Sequence, residues 1–253
     1  MDVYNLVMDE RTIQKLLEIN KQFYQNFGDE FSATRGRIQP GVRSILENLD
    51  GNENILDLGC GNGEVAKQLV KLGHKGTYTG LELSRSLLKA ANGKEHPSST
   101  RFLLGDLASK DWDQQFGEDQ FDMVFAFATL HHIPSILLRK QIITKAKRLL
   151  TPKGSFIHSN WQFLNSPRLK GRIQPWSSVG MDDKELDEGD YLLDWKRGGN
   201  GLRYVHHFSE SELRSIANET GFQVYKSFLS DGYENRLGLY QLWELTDYKS
   251  MNT

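Results

Sequence analysis

The sequence predicts an α/β fold, with a doubly wound and mostly parallel sheet that carries helices on both faces. Three observations support this prediction. Short apolar runs alternate with helical patterns over residues 50–160, a glycine-rich turn follows the first run, and a polar segment separates this region from a last helix and hairpin. Strands that alternate with helices at such intervals are typical of parallel sheets, because each crossover helix covers one face.

The chain divides by pattern into four segments, which we expect to form a single domain. Apolar residues recur at helical spacing over residues 9–26 and 40–49, so two helices are predicted before the sheet. The four segments are residues 1–49 (N-terminal helices), 50–160 (cofactor-binding core), 161–207 (insertion or lid) and 208–253 (helix and C-terminal hairpin).

Five strands and three helices are predicted in the core, and a helix and a hairpin after the insertion. The core strands are 54–58, 77–83, 101–106, 121–128 and 155–161, and the helices are 63–73, 84–92 and 135–150. Ser209 and Glu212 fit a capping box at the start of a helix over 209–221. Two apolar runs, 222–229 and 237–245, then predict the hairpin.

Composition and charge exclude several classes of protein. The 253 residues carry 31 basic and 33 acidic side chains, a formal net charge of -2, so no whole-surface attraction to a polyanion is implied. The single cysteine rules out an intrachain disulfide and is typical of a reducing compartment. No apolar run approaches the ~20 residues that span a membrane, and the N-terminus lacks the basic-then-apolar order of a signal peptide. We expect a cytoplasmic protein that does not enter the membrane.

The glycine-rich turn is the first candidate binding site. Gly59, Gly61 and Gly63 directly follow the predicted strand over residues 54–58 and precede a predicted helix. In an open α/β sheet, ligands bind beyond the carboxyl ends of the strands, at such a turn. A phosphate-binding P-loop is excluded because no Gly-Lys-Ser/Thr follows. A dinucleotide site stays possible on this pattern alone, because Ala66 completes G-x-G-x-x-A.

Three carboxylates at successive strand ends favour a different ligand. Asp57 precedes the turn, where a carboxylate suits an ammonium or hydroxyl group better than a pyrophosphate. Glu82 ends the second strand, about 20 residues past the glycines, where an acid binds ribose hydroxyls. Asp106 ends the third strand and could accept from an adenine amino group. A ligand that combines an amino-acid part, a ribose and an adenine is S-adenosyl-L-methionine.

Five segments, in order, resemble the class I S-adenosylmethionine-dependent methyltransferases. The segments are D-L-G-C-G-N-G (57–63), G-L-E-L-S (80–84), L-L-G-D (103–106), F-D-M-V-F-A-F-A-T-L-H-H (121–132) and L-T-P-K-G-S (150–155). The resemblance implies a Rossmann-like methyltransferase fold whose seven-stranded sheet ends in an antiparallel strand. It also implies that the turn glycines approach the methionine part of the cofactor, and that Leu83 and Leu107 flank the adenine. The implied cofactor-binding residues are Asp57, Gly59, Cys60, Gly61, Glu82, Leu83, Asp106, Leu107 and Phe127.

Several versions of methyl transfer are excluded by the residues present. A methyl group on a sulfonium is already electrophilic, so the protein mainly has to align a nucleophile and exclude water. Methylation of a pyrimidine ring carbon usually needs a cysteine nucleophile, but the only cysteine, Cys60, is in the cofactor turn. Residues 128–132 differ from the Asn/Asp-Pro-Pro-aromatic loop of exocyclic amine methyltransferases, and no carboxylate–histidine spacing predicts a metal. We therefore expect an oxygen acceptor, or a nitrogen that is already nucleophilic.

A histidine pair follows the fourth predicted strand at the binding edge of the sheet. His131 and His132 could act as a base or bind an acidic acceptor. Alternatively, one of the two histidines packs against the loop and orders it. The sequence leaves both alternatives open.

A second set of segments resembles the tRNA wobble-uridine carboxymethyl methyltransferases, which esterify a carboxymethyl group on the anticodon base. These segments are Phe31-Ser32-Ala33-Thr34-Arg35, His131-His132, Trp161, Pro175-Trp176 and Tyr204-Val205-His206-His207-Phe208. An ester-forming reaction agrees with the missing cysteine, because a carboxylate is its own nucleophile. The resemblance implies tRNA as the partner, and Arg35 would then clamp a phosphate or carboxylate at the catalytic centre.

The insertion leaves the acceptor open between tRNA and a small molecule. Arginines and lysines interleave with tryptophans and tyrosines there, which suits stacking on an unpaired base. The acidic run over residues 182–188 equally fits a solvated lid over a small-molecule pocket. A cofactor-binding protein without catalysis is a third hypothesis, and an activating subunit is compatible with the sequence.

Overall fold

The structure, a computed structural model, describes residues 8–33 and 36–246. The strands are β1 (Ile55–Leu58), β2 (Tyr78–Glu82), β3 (Thr100–Leu104), β4 (Phe121–Phe127), β5 (Leu150–Trp161), β6 (Ile173–Gln174), β7 (Asp190–Trp195), β8 (Gly201–His206), β9 (Phe222–Ser230) and β10 (Gly238–Leu245). The α-helices are α1 (Glu10–Ala33), α2 (Pro40–Leu46), α3 (Glu64–Lys71), α4 (Arg85–Asn92), α5 (Ile136–Arg148), α6 (Pro167–Lys170) and α7 (Glu210–Thr220). Among these helices, none has both the length and the apolar character that crossing a membrane requires.

The main sheet has seven strands in the order β3-β2-β1-β4-β5-β10-β9. Strands β1 to β5 pair in parallel, whereas β10 runs antiparallel to both β5 and β9. The predicted doubly wound α/β fold, with seven strands and an antiparallel last strand, is therefore confirmed. The strand order reverses between β1 and β4, which places the ligand-binding crevice at the carboxyl ends of these strands.

Two apolar cores cover the two faces of this sheet. On one face, buried residues of α5 and α7, such as Ile142 and Leu213, pack against the sheet. On the other face, α2 and α3 contribute residues such as Val42 and Leu69. Helices on both faces bury all four residues of β1, which explains why this strand is apolar except for Asp57 at its third position.

Two element boundaries differ most from the sequence prediction. Helix α1 continues to Ala33, beyond the predicted end at residue 26. Strand β5 begins at Leu150 instead of residue 155, because Leu150 pairs with Phe121 before an irregularity in the β4–β5 ladder. Pro152 lies in this irregular stretch, where its missing N–H removes no regular ladder hydrogen bond.

The insertion contains a sheet that the sequence pattern did not reveal. Strands β6, β7 and β8 form a separate three-stranded antiparallel sheet in that order. Helix α1 packs against β8, and Leu16 of α1 shares a buried cluster with Leu192 and Tyr204 of the small sheet. The long first helix therefore supplies the core that these short strands lack by themselves.

A buried polar cluster fastens the small sheet to the main domain. Asp190 of β7 accepts hydrogen bonds from the Tyr204 hydroxyl at 2.7 Å, and its Oδ1 lies 2.6 Å from Nδ1 of His206. Arg139 of α5 donates to the Tyr204 hydroxyl at 2.9 Å and lies 3.6 Å from Asp190. Charges that are buried in this way need partners on every side, so the cluster fixes the position of the insertion.

The start of α7 differs in detail from the predicted capping box. Ser209 caps the helix, because its Oγ accepts the N–H of Glu212 at 3.1 Å. The Glu212 carboxylate does not return this bond; it lies 3.0 Å from Nε2 of His206 and 3.5 Å from Arg139. The Glu212 carboxylate, which the sequence pattern assigned to the helix cap, thus belongs to the buried polar cluster instead.

Candidate cofactor and acceptor site

A cavity of about 790 Å³ opens at the carboxyl ends of β1, β2, β4 and β5. The residues predicted for the cofactor and for catalysis that line it are Asp57, Gly59, Cys60, Gly61, Glu82, Leu83, Asp106, Leu107, Phe127, His131 and His132. The remaining predicted residue, Arg35, lies outside the described residues. Helix α1, with Tyr24, and the insertion, with Arg203, form the opposite wall of the same cavity.

The glycine turn uses its backbone donors within the protein. The N–H groups of Gly59 and Cys60 both point at the carbonyl of Leu81, at 2.8 and 3.0 Å. The N–H of Gly61 donates to Oε2 of Glu82 at 3.0 Å. A pyrophosphate site needs N–H groups directed at the ligand, and these three N–H groups of the turn are directed at protein oxygens instead.

Glu82 is held beside the turn by two backbone N–H groups. Its Oε1 accepts from Ser84 at 2.8 Å, and its Oε2 accepts from Gly61 at 3.0 Å. Burial raises the pKa of Glu82, while the N–H groups of Ser84, Gly61 and Leu83 act in the opposite direction. Each carboxylate oxygen keeps a lone pair, so the oriented group can also accept from the hydroxyls of a ribose.

Asp57 is a buried carboxylate at the floor of the cavity. It is 2% exposed, and its Oδ2 accepts a hydrogen bond of 2.6 Å from the Tyr78 hydroxyl. Burial raises the pKa of Asp57 to about 7, and the charge of Glu82 adds to this effect, while the Tyr78 hydrogen bond opposes it. A cationic ligand group that reached this carboxylate would favour its ionised form.

Three of the remaining predicted cofactor residues follow strands β2 and β3. Asp106 is exposed, and its Oδ1 accepts the N–H of Ala108 at 2.9 Å. Leu83 is 38% exposed and Leu107 is 8% exposed, although both are apolar cavity-lining residues. Partly exposed apolar side chains beside a carboxylate form a surface that suits the faces and the amino edge of an adenine.

These features together fit S-adenosylmethionine. A β-carbon added to Gly61 would meet no heavy atom within 4 Å, so the turn borders open space where a ligand can approach the backbone. Asp57 would face the ammonium, Glu82 the ribose and Asp106 the adenine. When bound, the cofactor supplies the electrophilic methyl group, and these residues would hold it against the edge of the sheet.

The two histidines after β4 occupy different environments. His131 is 2% exposed, and its Nδ1 accepts the N–H of Trp161 at 3.4 Å, which places the proton of the neutral ring on Nε2. Nδ1 of His132 donates to the Tyr204 carbonyl at 3.2 Å, and its Nε2 accepts from the Tyr24 hydroxyl at 2.9 Å. His132 therefore connects α1 and β8 across the cavity, and a catalytic role for either ring stays a prediction.

Residues with strained backbone dihedral angles lie on both sides of the two histidines. Ala128 and Ser135 have φ values of 53° and 66°, in the left-handed region that non-glycine residues rarely adopt. Ala128 is held there by Ser159, whose carbonyl and hydroxyl both accept its N–H, at 3.0 and 3.1 Å. Such strain is concentrated at functional sites, where the surrounding structure imposes it.

Arg203 is the buried cation of the insertion wall. It is 4% exposed, and its guanidinium lies over the rings of Trp161, Phe23 and Trp195, at 4.7, 5.5 and 5.6 Å from their centroids. The three rings come from β5, α1 and β7, so three elements fix one positive charge beside the cavity. Stacking on aromatic faces is a geometry that arginine adopts and lysine does not reproduce.

Two residues with evident contacts at the site were not predicted. Tyr78 resembles any apolar strand residue in the sequence, and only the β1–β2 pairing brings its hydroxyl to Asp57. Tyr24 belongs to the apolar pattern of the first helix, so its bond to His132 had no sequence signal. Within the described residues, no group of three or more potential ligands is placed to hold a metal ion.

Comparisons with known proteins agree with this geometry. Residues 49–218 match the protein family described as "Methyltransferase domain". A protein of Encephalitozoon cuniculi that is described as a methyltransferase is 28% identical over 204 residues, which are 80% of this chain and 86% of that protein. A tRNA (carboxymethyluridine(34)-5-O)-methyltransferase of Arabidopsis thaliana is 28% identical over 154 residues, which are 59% of this chain but only 35% of that protein.

A solved structure extends the likeness to nearly the whole chain. Burkholderia thailandensis 1,6-didemethyltoxoflavin-N1-methyltransferase, determined with 1,6-didemethyltoxoflavin and S-adenosylhomocysteine bound, superposes with a TM-score of 0.63 at 19% identity. The match covers 98% of this chain and 94% of that chain, and at this identity it shows the fold alone. With the family match over residues 49–218 and the carboxylates at the strand ends, the chain belongs to the S-adenosylmethionine-dependent methyltransferases.

Proposed function

We propose that this methyltransferase esterifies a carboxylate, and that the acceptor is a carboxymethyl group on the wobble uridine of a tRNA. The observation that carries the proposal is Arg203, a buried guanidinium that lines the cavity opposite the cofactor residues. Three aromatic rings hold its plane in place. A fixed guanidinium with little access to solvent favours an anionic acceptor, and its planar fork matches a carboxylate.

The histidines are compatible with an acceptor that is already nucleophilic. A carboxylate needs no deprotonation at neutral pH, so the protein has to orient it in line with the sulfonium methyl group and exclude water. His132 is engaged at both ring nitrogens by Tyr204 and Tyr24. The tautomer of His131 that Trp161 favours carries its proton on Nε2, and such a ring can donate to an acceptor oxygen. An alcohol or phenol acceptor would instead need a base.

One relative supports the tRNA part of the proposal. The name of the Arabidopsis relative states an ester-forming reaction on carboxymethyluridine of tRNA. Because the match covers 35% of that protein, the likeness extends to part of it and not to the whole. Arginine and tryptophan side chains at the cavity, such as Arg37, Arg203 and Trp161, suit a nucleotide that is turned out of its loop.

The test compares two synthetic anticodon stem-loops, one with 5-carboxymethyluridine and one with uridine at the wobble position. With labelled S-adenosylmethionine, we expect transfer to the first only, and release of the label as methanol by mild alkali, because methyl esters are alkali-labile. Arg203→Ala should reduce kcat/KM for the stem-loop by about 10–100-fold, the effect of a lost bond to a charged group. Lys196→Ala is the matched control, because Lys196 is an exposed insertion cation that pairs with Asp194 at 3.3 Å.

A small-molecule acceptor is the alternative, and the same assay identifies it. The cavity also presents carboxylates, Glu18 and Asp231, among its lining residues, which would suit an acceptor with a hydrogen-bond donor. Alkali-stable label in a metabolite extract, together with no label in either stem-loop, would replace the tRNA proposal with an O- or N-methyltransferase acting on a small molecule.

A further inference from the structure

Tyr78 reaches the cofactor cavity from the beginning of its strand. Tyr78 pairs with Ile55 in the β1–β2 ladder, two positions before Asp57. Two residues of a strand span about 6.6 Å, which is close to the length of a tyrosine side chain. The ring therefore runs along the sheet to the strand end, where its hydroxyl donates to Oδ2 of Asp57 at 2.6 Å. Both side chains are buried, with 0% and 2% exposed.

Cys60 of the glycine turn packs beside the Asp57–Tyr78 pair. A β-carbon at Gly80 would lie 2.7 Å from Sγ of Cys60 and 3.0 Å from the ring of Phe102. Because Gly80 has no side chain, the Cys60 thiol occupies the space between Tyr78 and Glu82. The Asp57–Tyr78 pair is thus enclosed by protein except where Asp57 lines the cavity.

We propose that Tyr78 is a positioning residue for cofactor binding, whose hydroxyl orients the Asp57 carboxylate and keeps it charged for the α-ammonium group of S-adenosylmethionine. One carboxylate oxygen is committed to Tyr78, which leaves the other for the ligand. This role does not depend on the acceptor, so it holds for a tRNA and for a small molecule alike. A phenylalanine would fill the same space without supporting the charge.

The groups that face Asp57 determine how its charge responds to pH. Burial and the negative charge of Glu82 raise the pKa of Asp57, to about 7, and the Tyr78 hydrogen bond is what lowers it. Burial raises the pKa of Tyr78 and of the Cys60 thiol well above their usual values. Both therefore stay neutral, and Tyr78 stays a donor. Without the hydroxyl, Asp57 would take up a proton at higher pH and lose the charge that attracts the ammonium.

The test measures S-adenosylhomocysteine binding by calorimetry between pH 6 and 9, for the whole chain and two variants. In the unmodified protein, affinity should fall about tenfold per pH unit below the pKa of Asp57. In Tyr78→Phe, the same decline should begin about one pH unit or more higher, which is the effect of one lost bond to a charged group. Its affinity should then be at least about fivefold weaker at pH 7, about tenfold weaker at pH 6, and approach the unmodified value near pH 9.

Tyr204→Phe is the matched control. It removes the hydroxyl of another buried tyrosine that donates to an aspartate, Asp190, at 2.7 Å, but Tyr204 does not belong to the cofactor residues. This control should keep the unmodified pH profile. The ligand's own ammonium loses its proton at alkaline pH in all three proteins, so that limb of the profile should coincide.

Two results would overturn the proposal. A Tyr78→Phe protein that binds equally weakly at every pH would show a packing defect alone, and one that binds normally would show that the hydroxyl is unimportant. A double-mutant cycle with Asp57→Asn adds a second condition. The loss of cofactor affinity caused by Tyr78→Phe should vanish when residue 57 carries no charge.

If Tyr78→Phe does not fold, 3-fluorotyrosine can be incorporated instead, because its hydroxyl is a stronger donor. The decline in affinity should then move to lower pH, and an unmoved profile would contradict the proposal.

Discussion

A β-carbon on Gly59 would lie 2.4 Å from Oγ1 of Thr129. The glycine turn after β1 and the histidine segment after β4 are therefore in direct contact, with no room for a side chain between them. The Thr129 hydroxyl is within 2.9 Å of the Leu58 carbonyl and 3.1 Å of the Phe127 carbonyl, and it can donate to either. The contact between Gly59 and Thr129 thus joins the glycine turn to the segment that carries His131 and His132.

Gly59→Ala should destabilise the protein more than Gly61→Ala does. Both residues have positive φ, 78° and 56°, so alanine costs about 1–2 kcal/mol at either position. At Gly59 the clash with Thr129 adds an overpacking cost of about 1–3 kcal/mol, whereas the β-carbon at Gly61 meets nothing within 4 Å. Urea unfolding measures the difference, and equal losses in the two variants would contradict the contact. Because Gly61 borders the cavity, Gly61→Ala should weaken cofactor binding by more than its small loss of folding stability explains.

Asp57→Asn should stabilise the ligand-free protein above pH 7 while it weakens cofactor binding. Burial raises the folded-state pKa of Asp57 from 3.8 to about 7. A raised pKa means that the folded state holds its proton more tightly, so the stabilisation is complete below pH ~4 and is lost as the pH rises to ~7. Above that pH, the ionised carboxylate costs on the order of 2–4 kcal/mol, which asparagine avoids.

Thermal unfolding at pH 5 and pH 8 tests this prediction without ligand. The two proteins should differ more at pH 8, where the asparagine variant should have the higher midpoint. With saturating S-adenosylhomocysteine the order should reverse, because only the carboxylate binds the ammonium strongly. An asparagine variant that is less stable than the unmodified protein at pH 8 would show that Asp57 is not strained by its burial.

The sequence could predict that the proposed cofactor residues share one cavity, because parallel strands end on one edge. Asp57, Glu82 and Asp106 are far apart along the chain, yet each lies at or just beyond the end of a strand that could be recognised by its apolar run. Their common edge then follows from the topology of a doubly wound sheet. The position of the glycine turn after the first strand, at the binding edge of the sheet, needed no knowledge of side-chain packing.

The acceptor half could not be predicted in the same way, because it depends on contacts between distant segments. Arg203 was one of several cations near the insertion, and only the approach of α1 and β5 distinguishes it as buried under aromatic rings. Strands β7 and β8 are short, and much of the core that covers them comes from α1. The positive φ at Ala128 is likewise imposed by Ser159 and leaves no sequence signal.

His132 should prove to be a structural connection between α1 and β8. His132→Ala removes the partner of the Tyr204 carbonyl and of the Tyr24 hydroxyl, so the free energy of unfolding should fall by about 1–3 kcal/mol. At saturating acceptor, kcat should change little and keep its pH profile. A general base would cost about 10²–10⁴-fold in rate and remove the acid limb of the profile. Tyr24→Phe, which removes only the hydroxyl, should show the smaller stability loss alone.

The buried cluster around Arg139 should contribute more to stability than its exposed neighbour does. Arg139→Met leaves Asp190 buried without its cation, so unfolding should become easier by about 3–5 kcal/mol. Lys140→Met removes the next residue along α5, which pairs with Glu219 at 2.5 Å on the surface, and should change stability by less than about 1 kcal/mol. Urea unfolding of the two variants separates buried from exposed pairs, and similar losses would show that the cluster is not a structural anchor.

Salt dependence should distinguish the roles of two arginines if the acceptor is a tRNA. Arg37 is exposed at the opening of the cavity, where a cation would meet backbone phosphates, whereas Arg203 is buried beside the proposed place of the acceptor carboxylate. Binding of an anticodon stem-loop should weaken steeply with salt, with a slope of roughly 0.7–0.9 per phosphate contact in a double-logarithmic plot. Arg37→Ala should lower this slope by about one contact. Arg203→Ala should weaken binding at every salt concentration and leave the slope unchanged, because a single carboxylate condenses no counterions.

Fluorescence anisotropy between 50 and 300 mM salt measures both the affinity and its salt slope. A slope near zero in the unmodified protein would contradict a tRNA acceptor, while a slope that falls equally in both variants would place Arg203 on a phosphate instead of the carboxylate.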